Sequence, residues 1–148
     1  MRANRDGPRL SDADADPSTF ADAFWLTADR QVGTYPPPTP RSGKWLVFVP
    51  EARVDEMWAT IKQATRDGEL GSSAKVTTAR PSSNARSAGT RVICVHTYDF
   101  EDEADVMRVR AALRELGVRA RIPYKADRDT FAGRYSNRGD RGIAKHFA

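Results

Sequence analysis

Apolar residues recur along this chain with two periods, and the switches between them outline a fold. Trp45 to Val49 is a continuous apolar run of strand length. Val54, Met57, Trp58 and Ile61 follow at helical spacing, and Gly68 marks the stop. Ala74 to Ala79 alternates as a short strand, and Arg91 to Tyr98 reads as a second buried strand. Between these two, Arg80 to Thr90 has no apolar anchor and reads as a loop. A helix is predicted from about Asp102 to Leu116, with Val106, Val109, Leu113 and Leu116 inward and Gly117 ending it. Val118 to Lys125 closes the set as a strand, with Ala120, Ile122 and Tyr124 on one side and Arg119, Arg121 and Lys125 on the other.

Strand, helix, strand, strand, helix, strand is the split βαβ order. Each helix has one apolar stripe, so both are expected on one face of a mainly antiparallel sheet, an α+β fold. The other face is then left open or covered by the N-terminal segment, and it carries Arg119, Arg121 and Lys125, joined by Lys75 and Thr77. Residues 1–17 have almost nothing to bury and read as a disordered tail, which leaves 18–148 as a single domain. Within it, Phe20, Phe24 and Ala28 fit one side of a short helix, and Tyr35-Pro36-Pro37-Pro38 must be extended. A helical flap on a stiff strap is the expectation for residues 18–42.

Charge sharpens this picture. Residues 108–148 hold eleven Lys or Arg against four Asp or Glu, a local +7 in a chain of net charge +4, so the remainder is net acidic. Positive charge segregated in this way points to an anionic partner: a phosphorylated small molecule, a nucleotide or RNA. No apolar run is long enough to span a bilayer and no secretory leader is evident, so a cytoplasmic protein is expected. The single cysteine, Cys94, lies in the apolar run Val92 to Val95 and is expected to be buried.

Candidate chemistry is sparse. Two histidines, His96 and His146, and one cysteine do not assemble a usual zinc set, and neither a phosphate-loop motif nor a dinucleotide fingerprint is present. We therefore expect no metal and no cofactor. Asp99, Glu101, Asp102, Glu103 and Asp105 sit where a helix start favours negative charge. Lys75, between Ala74 and Val76, is the candidate general base, because burial disfavours a charged ammonium. Lys44, at the mouth of the first strand, is placed to hold a phosphate. Trp25 and Trp45 are candidates to stack on a planar ligand or on one another.

Gly43 to Phe48, Val54 to Trp58, Gly68-Glu69-Leu70-Gly71 with Ser73 to Val76, Arg91 to Val95 with Tyr98-Asp99, and Tyr124-Lys125 with Asp127, Thr130, Gly133 and Tyr135 together resemble the basophilic-leukaemia-expressed protein family. The resemblance implies the fold of the cap-binding translation initiation factor, a curved antiparallel sheet with helices on its convex side. Bacterial members are labelled phosphothreonine lyase-like. That likeness implies Lys75 as base, Lys44 beside the phosphate, and Arg86 or Arg91 with Arg134 or Arg138 as a clamp. The position matching the lyase acid is Leu46, with His96 as a substitute from a neighbouring strand. Cap binding itself needs loop tryptophans, and Arg80 to Thr90 has no aromatic residue.

Three functions follow. The first is a binding domain for a nucleotide or RNA end, with Lys44, Lys75, Arg86, Arg91, Lys125, Arg134 and Arg138 on phosphate and Tyr124 or Tyr135 stacking. The second is a lyase using Lys75 and His96, and the third a protein-interaction module using the proline strap.

Overall fold

The computed structural model describes residues 14–81, 89–128 and 144–148. Six strands and two helices follow in chain order: β1 Trp25–Asp29, β2 Gly43–Pro50, α1 Glu51–Arg66, β3 Ser73–Thr77, β4 Thr90–Thr97, α2 Glu103–Glu115, β5 Pro123–Ala126 and β6 Ala144–Phe147. They form one antiparallel sheet in the order β1-β3-β4-β2-β5-β6. The four inner strands and both helices are the split βαβ unit, and β1 and β6 extend its edges.

Both helices lie on one side. Val54, Trp58, Ile61 and Ala64 of α1 and Val106, Val109 and Leu113 of α2 are buried against Trp45, Val47, Val49, Ala74, Val76, Ile93 and Val95 of the sheet. The pleat sends alternate residues to opposite faces, so this core fixes what remains for the other face. Trp45 is anchored by its indole N–H, which donates to the Val106 carbonyl at 3.0 Å. Asp102 caps α2 by accepting from the Asp105 N–H at 3.1 Å, as the acidic run there predicts. Gly68 follows α1 with φ +81°, a conformation that suits glycine.

Two expectations are corrected. Residues 25–29 are an edge strand and not part of a helical flap: Leu26 and Ala28 alternate inward, and β3 supplies the backbone partners. This segment widens the sheet instead of covering its second face. The last inner strand is also shorter than expected, because Arg110 of α2 takes the carbonyls a longer strand would use. Its buried guanidinium donates to Val118 O at 2.9 Å, Ala120 O at 2.7 Å and Ala148 O at 2.8 Å. Arg119 and Arg121 consequently leave the sheet face; the Arg121 guanidinium stacks 4.6 Å from the Phe147 ring centroid.

Contacts also reach into the stretch read as tail. Asp14 lies 3.6 Å from the Lys62 ammonium, and Arg91 reaches the Pro17 carbonyl. The proline strap is extended and pinned over the start of α2, where Tyr35 donates to Asp105 and accepts from the Tyr98 N–H. Among the described residues no helix is long and apolar enough to cross a membrane.

Candidate anion-binding face

The helix-free face is read off strand by strand from the residues that alternate with the core. Trp25, Thr27 and Asp29 come from β1; Ser73, Lys75 and Thr77 from β3; Val92, Cys94 and His96 from β4; Lys44, Leu46 and Phe48 from β2; and Lys125 from β5. Register aligns them into rungs. One rung runs Asp29, Ser73, His96, Lys44, Lys125. The next runs Thr27, Lys75, Cys94, Leu46. The third has Trp25 at the β1 edge and Phe48 on β2, joined through Thr77, whose hydroxyl accepts from the Val92 N–H at 3.2 Å.

The first rung is cationic and recessed. Lys44 and Lys125 are paired directly across β2 and β5, and each is 8% exposed. Like charges in such a pair repel unless an anion lies near, and Asp127 supplies one. Its carboxylate accepts from the Lys44 ammonium at 2.7 Å and from the Ser42 hydroxyl at 2.7 Å. Burial pushes the Asp127 carboxyl up, but these hydrogen bonds and the charge of Lys44 outweigh it and leave it below the usual range. Lys75 stands diagonally across from His96 and holds its ammonium 4.1 Å from the Trp25 ring centroid.

Cys94 and His96 form the floor. Burial raises the Cys94 thiol to about 11 against the opposing charges of Lys75 and Lys44, so the sulfur is an inert neutral group. Burial lowers His96 to about 4; Asp127 works against the shift, and Lys75 and Lys44 add to it. His96 is therefore a neutral imidazole near pH 7.

Several sequence-predicted site residues lie elsewhere. Arg91 belongs to the helix-side parity of β4, opposite Val49, and its guanidinium pairs with Glu51 at 2.9 Å. Tyr124 is fully buried on the helix side, edge-on to Trp45 and hydrogen-bonded to Thr97 at 2.7 Å, so it cannot stack on a ligand. Trp45 is likewise core, and it lies on the opposite face from Trp25. Arg86, Arg134, Tyr135 and Arg138 lie outside the described residues. The structure thus places Lys44, Lys75, His96 and Lys125 on one face with Trp25, one of the two stacking candidates, and adds Asp127. No group of three metal-binding side chains occurs among the described residues.

An antiparallel sheet with both helices on one face and a recessed lysine cluster on the other is the class that the geometry defines. A family model described as "Basophilic leukemia-expressed protein Bles03" matches residues 39–131, and the chain belongs to that family. Lys44, Lys75, His96, Lys125 and Asp127 all fall inside the match, and Trp25 precedes it. Among solved structures, the chain is similar to C. elegans eIF4E-3 in complex with the 4E-binding protein Mextli and a cap analog. The identity is 20% and the TM-score 0.47, over 62% of this chain and 54% of that one. It is also similar to Ascaris suum eIF4E-3 with an m2,2,7G cap, at 21% identity and a TM-score of 0.42, over 57% of this chain and 50% of that one. The chain spans about half the length of the solved structures it matches.

Proposed function

We propose that the helix-free face binds a phosphate-bearing ligand, a nucleotide or the end of an RNA, with Lys44, Lys75 and Lys125 as its cationic partners. One observation supports this above all: lysines from three strands share the helix-free face, two of them buried side by side. Recessing cations is costly; Asp127 offsets part of that cost at Lys44, and an anionic ligand adds to it. Lys75 can be redeployed cheaply. Its contact with the exposed Trp25 is worth about 0.5–1 kcal/mol, whereas a hydrogen bond to a charged group contributes about 1.5–3 kcal/mol.

Binding is preferred to elimination on chemical grounds. A lyase must protonate its departing phosphate, and a neutral His96, paired across the strands with Lys44, is a poor acid. The test is calorimetric titration with adenosine triphosphate at 50 and 500 mM salt, chosen as low and high. Affinity is expected to fall steeply between them. Absence of binding, or affinity indifferent to salt, refutes the reading.

A further inference from the structure

We propose that β1 pairs with β1 of a second copy of this chain, antiparallel and centred on Thr27, so that two sheets join edge to edge. This pairing is independent of the anion-binding reading and stands on the backbone. β1 and β6 are the outer strands among the described residues, and the two edges differ. β6 meets β5 with a shifted register at Tyr124 and Lys125 and carries Lys145, two features that blunt an edge. β1 runs Trp25-Leu26-Thr27-Ala28-Asp29 in unbroken register with β3, with no proline and no lysine.

The ladder fixes which groups face outward. The Thr78 N–H donates to Phe24 O at 3.1 Å and the Arg30 N–H to Ser72 O at 2.9 Å, so the even-numbered residues of this segment bond to β3. The N–H and C=O groups of Trp25, Thr27 and Asp29 therefore point away from the sheet, and all three residues are exposed. The free stretch stops at Gln31, whose N–H turns to Arg66 O of α1. A second β1 laid antiparallel with Thr27 opposite Thr27 puts Trp25 opposite Asp29 at both ends. Every outward group of one copy then meets its complement on the other.

Side chains favour the same register. Leu26 and Ala28 face Ala28 and Leu26 of the second copy and carry the apolar helix side across the junction. On the helix-free side the second copy's Asp29 stands opposite Trp25, whose ring holds the Lys75 ammonium at 4.1 Å. A carboxylate that blunts a lone edge is thereby set near a cation, and a shifted pairing forfeits this match. Because the two-fold axis stands perpendicular to the sheet, both helix-free faces open on the same side.

The experiment is sedimentation equilibrium of the full chain from about 20 µM to about 1 mM, a range suited to a contact smaller than a standard interface. Wild type is expected to pass from one chain toward two across it. Thr27→Pro removes the central outward N–H and no bond to β3, and should weaken association by roughly tenfold or more. Thr27→Lys and Thr27→Glu set like charges opposite one another and should each remain monomeric, while their equimolar mixture associates. That rescue excludes misfolding as the cause of the losses. A wild type that stays monomeric throughout, dimers indifferent to Thr27→Pro, or a mixture no more associated than its components overturns the pairing.

Discussion

Lys44 and Asp127 are joined at 2.7 Å on the helix-free face, so the protein carries its own anion against the cation best placed to receive a phosphate. An arriving ligand must share Lys44 with that carboxylate or displace it. Asp127→Asn removes the competitor's charge and keeps a hydrogen-bond acceptor for Ser42. Tripolyphosphate affinity should rise about three- to tenfold, on the order of 1 kcal/mol for a unit charge several ångströms away in a wet environment. Lower affinity in isothermal titration contradicts this competition.

His96 gives the stability a defined pH dependence. Its folded value of about 4 lies below the ordinary 6.5, so between these limits the unfolded chain binds more protons. Stability contributed by neutral His96 is complete above about pH 6.5 and is lost as pH falls toward 4. Near pH 5 the loss is about 2 kcal/mol, at about 1.4 kcal/mol per unit. Among the described strands, Asp29 at the rung's edge, Asp127, Lys44, Lys75 and Lys125 are the charged groups sharing this face with it. Urea unfolding at pH 7.5 and pH 5 should show the loss in wild type and a smaller one in His96→Gln. Equal losses place the effect elsewhere.

Arg110 should be the most sensitive cation for stability. Removing its guanidinium strands the Val118 and Ala120 carbonyls around a buried position and leaves Ala148 O with the Ile122 N–H alone, and Arg110→Ala is expected to cost about 3–5 kcal/mol. A change under about 1 kcal/mol in urea denaturation contradicts the bracing role.

Gly71 is set by close approach. A Cβ there would lie 1.8 Å from the His96 carbonyl oxygen, a backbone atom that cannot swing aside. Gly71→Ala should therefore destabilise by about 2 kcal/mol or more through backbone displacement. A melting temperature within 1–2 °C of wild type, the scale of a negligible change, contradicts the tight contact.

Much of the fold was legible because helix stripes and strand runs announce themselves. Val54, Trp58 and Ile61, and Val106, Val109 and Leu113, could cover only one side of a sheet. Lys75 was legible from its neighbours Ala74 and Val76, which commit it to the opposite face. Arg91 was not. The unbroken apolar run from Val92 to Val95 hides which parity faces the helices, and only pairing with Val49 decides it. Trp25 was misread because Phe20, Phe24 and Ala28 fit a helical spacing, while the alternation of Leu26 and Ala28 became decisive only once β3 offered an edge. Arg110 is signalled in the sequence by its place on the same helical stripe as Val106 and Leu113.

The central claim is that Lys44, Lys75 and Lys125 act as one anion site, and charge removal tests it most directly. Each is replaced singly by Gln, alongside Arg114→Gln and Arg119→Gln, whose guanidinium and carbonyl meet away from this face, and adenosine triphosphate affinity is measured at low salt. We predict roughly 10- to 100-fold losses for the three lysines, the value of a charge-assisted hydrogen bond, and changes under about twofold for the two arginines. Equal, small losses at all five positions would mean that no shared site exists on this face.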